Sequence, residues 1–388
     1  MRTFYVSPSG TGTGSQINEP ALYTSSDFWE VVQAALSTEP VIVRFLDGTY
    51  DAPVDLPSGL GHETHWLFLA GNSPDGTVLR VPPDPPFEEA RLQLADCQNI
   101  VLQHLHFTGG GRLRYVTRIS GTSHDIIFDS CTFINLPGVA NGATGVLGED
   151  VHHVTYQQCR FETIGSDSGA HMMYHANNSR YINVVNCTFK DCSGEYVRFR
   201  NNVDFCHVTG CSFICTGLYP EEGAESRPFI SMPVLNDCEP GSERCPDPEN
   251  HSQYEYFGTH YVIARNHFVY QTPSNPGERN AVHFKHQGFD PPKRNHLMTK
   301  PEGEILQQGD MTERKHLLKS HCNIDMENVR AYDNRHENVA RTVAFGSFAT
   351  YGAESKGWEG YVDIDDLVIA DPVIQAPQLE TVLSFVLQ

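Results

Sequence analysis

"RYINVVNCTF", Arg180–Phe189, decides how this chain is read. Apolar and polar side chains alternate, β-branched residues dominate, and the stretch closes on Cys-Thr-Phe, as a half-buried strand does before a tight corner. The pattern recurs. "HDIIFDSCTF" ends at Phe133, "HHVTYQQCRF" at Phe161 and "DFCHVTGCSF" at Phe213, so successive phenylalanines stand 28, 28 and 24 residues apart. Two residues before each lies a cysteine: Cys131, Cys159, Cys187 and Cys211. An earlier relative, "QNIVLQHLHF", ends at Phe107. Later ones are "YVIARNHF", ending at Phe268, and the looser "NIDMENVRAY".

No helix of useful length fits between these units, which excludes βαβ winding. A strand repeat near 25 residues with short turns predicts an all-β fold, a right-handed parallel β-helix. Each coil gives two or three short strands and stacks on the last at about 4.8 Å. Like residues then stack on like. The cysteines become small apolar residues of an internal ladder, with no redox or metal role required.

The whole chain reads as one domain. Residues 1–40 hold an N-terminal strand and a capping helix, and 41–217 the regular coils. An acidic insertion occupies 218–257, a further coil 258–290, a basic insertion 291–320, and C-terminal coils 321–388. In "SSDFWEVVQAALSTEP" Asp27 and Glu30 have capping-box spacing, and Phe28, Val31, Val32, Ala35 and Leu36 share one helical face. Such a helix seals an end of the stack that otherwise exposes strand edges. "VIVRFLDGTYD" reads as the first strand and turn after it. Taken together, "TFYVSPSGTGTGS", that helix, "VIVRFLDGTY" and coils of the "INVVNCTF" type resemble the pectate-lyase-like superfamily of parallel β-helix carbohydrate enzymes.

Composition limits the partners. A formal charge of −21 argues against nucleic acid or an anionic membrane as the main partner, since both need a basic footprint. No apolar run approaches the roughly 18 residues of a membrane span. The opening "MRTFYVSPSG" carries no leader pattern, so the expectation is cytoplasmic if this is the native start, and secreted or periplasmic if a leader was removed. Oligomeric state is left open. The eleven cysteines form no CxxC pair, and Cys238 and Cys245 are the two placed for a local disulfide. In the acidic insertion nine carboxylates face Arg227 and Arg244. From Arg279 to His321 eight Lys or Arg face five Asp or Glu, against 27 and 48 in the whole chain.

Counting back fifteen residues from each ladder phenylalanine gives the register of the preceding strand. The count lands on Arg118, Val146, Tyr174 and Arg198. "HMMYHANN" then lies below "EYVRFRNN", and Asn177 and Asn178 stack under Asn201 and Asn202. Alternation points Val197 and Phe199 inward, and Tyr196, Arg198 and Arg200 outward. Likewise Met173 and His175 point in, Met172 and Tyr174 out. In "VHFKHQ", Phe284 takes the inward place, His283 and Lys285 point outward, and His286 matches His175; the two inward histidines read as hydrogen-bonded core residues. Arg118, Tyr174, Arg198 and Lys285 form one polar column. Donors beside aromatic surface suit an extended oligosaccharide or polysaccharide, above all one bearing carboxylates.

Cleavage of a uronic-acid polymer by β-elimination needs a cation to neutralise the carboxylate, a base for the C5 proton and an acid for the leaving oxygen. The resemblance implies that reaction on the outer face of a parallel sheet, often with calcium. It puts Arg198 as neutraliser and Tyr174 as acid or base, with His171 and Lys285 as helpers. Arg118, Arg200, Tyr196, His283 and Glu195 are the substrate contacts. Calcium is possible, yet no DxDxDG-type spacing supports it, and no metal ligands are assigned. The alternative is a glycoside hydrolase, which needs two carboxyl groups on one face, with Asp167, Asp191 and Glu195 nearest. A uronate epimerase and a non-catalytic sugar-binding or adhesive β-helix complete the set.

Overall fold

A computed structural model describes residues 1–73, 75–87, 90–139, 144–201, 203–219, 228–234, 258, 260–271, 280–286, 329–337, 339, 341–347 and 362–363. The chain winds into a right-handed parallel β-helix of three sheets. Within each sheet every neighbour comes from the next coil, and the pairing is parallel apart from the terminal contact of Arg341–Ser347 with Val362–Asp363. The first sheet holds the strands that opened the reading, among them His124–Asp129, His152–Gln157, Arg180–Val185 and Asp204–Thr209. The second holds the strands bearing the phenylalanines. The third contains Leu92–Ala95, Tyr115–Ser120, Thr144–Glu149, His171–Ala176, Glu195–Arg200, Ile230–Val234 and Asn280–His286.

The predicted ladders are present. Phe107, Phe133, Phe161, Phe189, Phe213 and Phe268 stack face to face, with successive ring centroids 4.5–4.9 Å apart. All are wholly buried, so each ring takes apolar contact from the rungs above and below. Cys131, Cys159, Cys187 and Cys211 line the same core as free thiols. Each donates to a backbone carbonyl one coil back, at Leu102, Phe128, Tyr156 and Val184, 3.4–3.5 Å away. Burial pushes the Cys131 thiol up to about 12, so it stays protonated and inert. At the corner after the third sheet Asn177, Asn178 and Asn201 adopt positive φ (54°, 62° and 60°), a conformation asparagine tolerates. Asn201 Nδ2 donates to Asn177 Oδ1 at 3.1 Å, which joins two rungs of the asparagine ladder. Asn202 lies outside the described residues.

Two local expectations are corrected. The capping helix runs Ser26–Leu36, and its N-cap is Ser25, whose side chain accepts from the Phe28 N–H; Asp27 sits in the first turn. A hydroxyl one residue before the helix reaches that amide, so Asp27 is left to favour the positive helix end by charge alone. The buried face is Phe28, Trp29, Val32, Ala35 and Leu36, while Val31 is half exposed. The Trp29 indole N–H finds the Tyr23 carbonyl at 2.9 Å, which lets the larger ring enter the core in place of valine. The stretch read as an acidic insertion also contains a rung: Ile230–Val234 pairs with Glu195–Arg200 on one side and Asn280–His286 on the other. Cys238, Cys245 and the basic insertion 291–320 lie outside the described residues.

Candidate functional site

The third sheet aligns its outward residues in columns. One runs Gln93, Arg118, Leu147, Tyr174, Arg198, Ser231, His283. Tyr174 and Arg198 are therefore vertical neighbours, as counted. The Arg198 guanidinium lies over the Tyr174 ring, 5.0 Å from its centroid. Its Nη1 donates to His171 Nε2 at 3.0 Å and stands 3.7 Å from Glu195 Oε2. Arginine only donates, so His171 accepts at Nε2 and keeps its proton on Nδ1, which faces Glu195 Oε2 at 3.8 Å. Arg200 Nη1 reaches the Tyr174 hydroxyl oxygen at 3.5 Å. Two guanidinium groups thus bracket one phenol, and a buried histidine and glutamate hold the nearer one from behind.

The strip continues toward the N-terminus. Arg118 stacks over Tyr115 at 5.3 Å and pairs with Glu149 at 3.3 Å; Arg114 stacks over the same ring at 5.2 Å. Ala90, Tyr115 and Leu147 form a small apolar cluster on this outer face, with Tyr174 packed against it. Ahead of strand Tyr115–Ser120, Arg112 lies over Phe87 of the preceding coil at 5.2 Å. Every arginine–aromatic stack among the described residues belongs to this strip. Sequence reasoning missed Phe87, Arg112, Arg114, Tyr115 and Leu147. Tyr115 and Arg118 share one strand three residues apart, which was the available signal. The corner turns that carry Phe87 and Arg112 repeat nothing, so no count reaches them.

Several predicted positions move. Tyr196 is wholly buried and donates to the Ile214 carbonyl at 2.9 Å, and Met172 is wholly buried in the core. Neither points outward. Buried residues run consecutively at the start of both strands (Met172–Met173 and Tyr196–Val197), because the coil turns its corner there and alternation is suspended. Tyr196 is therefore a core anchor. His171 and Glu195 are also buried, at 2% and 6% exposure, and both lie against Arg198. The register position opposite Arg118 is Leu147, not Val146.

Lys285 pairs with Pro233, one outward step along from the Ser231–His283 pair, so it leaves the Tyr174–Arg198 column and His283 replaces it. Ala176 and Arg200 are matched at the same outward step on the earlier rungs. Met232 and Phe284, not His286, continue the rung position of His175 and Phe199. The side chains of Phe284, Lys285 and His286 lie outside the described residues. His175 is a core histidine, as expected: its Nε2 shares a hydrogen bond with the Tyr156 hydroxyl at 3.0 Å, and burial lowers its pKa to about 3.

The carboxyl groups considered for hydrolysis are occupied. Asp191 accepts from the Thr216 backbone N–H at 2.7 Å and from its hydroxyl at 3.0 and 2.9 Å, while Asp167 caps the Gly169 N–H at 2.9 Å. Glu195 serves His171 and Arg198. Among the described residues no group of three or more His, Cys, Asp or Glu could hold a metal ion. The carboxylates of the strip, Glu149 and Glu195, stand against Arg118 and Arg198 at 3.3 and 3.7 Å.

No family model matches the chain, and no curated protein matches it. Solved structures of similar winding include pectate lyase Pel9A, 11% identical, with a TM-score of 0.39 over 96% of this chain and 91% of that one. Pectin methylesterase PemA from Erwinia chrysanthemi is 10% identical, with a TM-score of 0.41 over 96% and 99%. An alginate lyase from Paenibacillus sp. is 7% identical, with a TM-score of 0.39 over 88% and 97%. These likenesses concern the course of the backbone. Among the described residues no helix is long and apolar enough to cross a membrane.

Proposed function

We propose that this protein is a polysaccharide lyase that cleaves a uronic-acid-containing glycan by β-elimination on the outer face of the third sheet. The observation that carries the reading is the bracketing of the Tyr174 phenol by Arg198 and Arg200, with Arg198 fixed by His171. A uronate placed there sets its carboxylate on the guanidinium fork, the geometry arginine meets best. Neutralising that carboxylate favours the carbanion that forms at C5. Tyr174, ionised, takes the C5 proton. The C5–H electron pair becomes the C4–C5 double bond, the C4–O4 bond breaks, and Tyr174 returns its proton to O4. One group at both ends suits a proton and a leaving group on the same sugar face.

Arg200 donates to the Tyr174 oxygen and offsets its charge while the proton is away. His171 and Glu195 are positioning residues for Arg198. Arg118 is a substrate contact two rungs away, and His283 stands on the same column past Ser231. The step uses only these side chains. A hydrolase reading loses its second carboxylate, since Asp191 is held by Thr216.

The test is absorbance of the unsaturated uronide, measured alongside reducing ends, on polygalacturonate, alginate and neutral glucans. The wild-type protein is expected to give both signals on an acidic polymer, and Tyr174→Phe to lower kcat by about 10²–10⁴-fold. Reducing ends without the absorbance would sink the elimination.

A further inference from the structure

We propose that the cavity beside Phe87 and Arg112 is a distal subsite for another sugar of the same acidic glycan, so that the protein favours long chains over short ones. The inference rests on the lyase reading for its substrate class. The cavity has a volume of about 310 Å³ and is walled by Pro83, Asp84, Pro85, Phe87 and Arg112. Its lining carries the three elements a pyranose uses. Phe87, 40% exposed, gives an aromatic face edged by two prolines. Asp84 accepts from hydroxyls. Arg112 lies over the Phe87 ring at 5.2 Å and can turn its donor fork to a carboxylate.

The cavity is built into the coil and not draped over it. The Arg114 N–H donates to the Phe87 carbonyl at 2.9 Å, which ties the cavity wall to the turn entering strand Tyr115–Ser120. That turn is Gly109-Gly110-Gly111. A Cβ at Gly111 would stand 1.7 Å from the Pro82 carbonyl oxygen, so only glycine lets the two turns close on each other. Gly109 has φ +126°, and a Cβ there would meet the Val81 oxygen at 2.2 Å.

Place and direction follow from the register. Arg112 enters the rung of Arg118, two rungs from Tyr174, about 10 Å at the strand spacing. Between them stand Arg114 and Arg118, stacked on Tyr115, and the apolar cluster of Ala90, Tyr115 and Leu147 against which Tyr174 packs. On the other side of Arg198 the column passes to Ser231, wholly buried, and His283, 9% exposed. The arginine–aromatic stacks run from Tyr174 to Phe87 and none lies beyond Arg198 among the described residues, so a chain held at Tyr174 is carried toward Phe87.

The experiment compares wild type, Phe87→Ala and Arg112→Gln on a polymer and on oligomers too short to span from Tyr174 to the cavity. Both variants change exposed side chains, and circular dichroism checks the fold. The expected result is a KM on polymer raised about tenfold in each variant. With kcat unchanged and short-oligomer kinetics unaffected, the loss is one of distal binding. Unchanged KM on polymer, or an equal change on the short oligomers, would overturn the subsite. If wild type gives no unsaturated product from any polymer, the lyase reading falls alone, and binding is read by retardation in gels cast with polygalacturonate or alginate. Retardation of wild type that both variants lose supports the subsite. Equal retardation of all three, or none for wild type, rejects it.

Discussion

The second and third sheets both carry arginines on their outer faces, and they use them differently. On the second sheet each arginine has its own carboxylate. Arg80 grips Asp51 through two bonds of 2.6 and 2.8 Å, Arg160 pairs with Glu162, which also holds Lys190 at 2.8 Å, and Arg335 pairs with Glu337 at 3.0 Å. On the third sheet the guanidinium groups lie over rings: Arg112 on Phe87, Arg114 and Arg118 on Tyr115, Arg198 on Tyr174. Arg118 also has Glu149 at 3.3 Å, and Arg198 has Glu195 at 3.7 Å. An arginine matched by its own carboxylate is finished as surface chemistry. One stacked on an aromatic keeps the edge of its fork for an incoming anion. A strip of attraction can thus sit on a chain whose formal charge is −21.

The largest effect expected among the arginines tests that difference directly. Arg198→Ala should lower kcat on the acidic polymer by about 10²–10³-fold, equivalent to roughly 3–4 kcal/mol of transition-state stabilisation. Arg198→Lys keeps the charge but gives up the fork and the ring stack, and should recover only part of it. Full activity in the lysine variant would mean that a point charge suffices and that the stacking is incidental. Initial rates of unsaturated-uronide formation, with thermal unfolding of each variant as the fold control, decide it.

A second prediction separates the two buried histidines of strand His171–Ala176. His171 meets an arginine on the outer side, whereas His175 lies wholly in the core with its pKa lowered from 6.5 to about 3 by burial. The folded state therefore refuses a proton that the unfolded chain accepts between those values. Stability on this account is full above about pH 6.5 and falls as pH drops below it; at pH 4.5 the loss is about 3 kcal/mol. His175→Phe should flatten urea-unfolding stability over that window, because Phe199 already occupies the same rung position one coil on. An unchanged acid slope in the variant would place the titration elsewhere. Space at this point is close: a Cβ at Gly148 would stand 2.3 Å from His175 Nδ1.

What the sequence made legible follows the repeat. The Phe and Cys ladders recur in fixed order, so stacking them predicted the core, and a count of fifteen residues brought Tyr174 to Arg198. The same count failed at Val146 because one turn is shorter. Arg118 precedes His124 by six residues, but Leu147 precedes its partner His152 by five. Lys285 was misplaced for another reason: "VHFKH" and "YVRFR" match equally well after a slip of two, since a period of two cannot tell neighbouring outward positions apart. Tyr196 was read outward because alternation was carried through a corner where two buried residues follow each other. The cap at Ser25 was hidden by Asp27, a competent capping residue two places on. Phe87 and Arg112 stand in turns, where conformation is set by glycine and proline locally and no ladder repeats it.

The smallest expected effect is the one most able to break the comparison. Arg160→Ala removes a cation from the second sheet whose side chain is 55% exposed and whose partner Glu162 keeps Lys190. An exposed pair of this kind contributes little, because long side chains are ordered for an attraction that water and salt screen. Stability should change by no more than about 0.5 kcal/mol, and activity on the acidic polymer should not change at all. Arg198 and Arg160 are each outward arginines on strands of parallel sheets, so charge alone would make them equivalent. If Arg160→Ala slowed the reaction as Arg198→Ala does, the glycan would be responding to the field of the whole surface, and the strip on the third sheet would lose its claim to be the site.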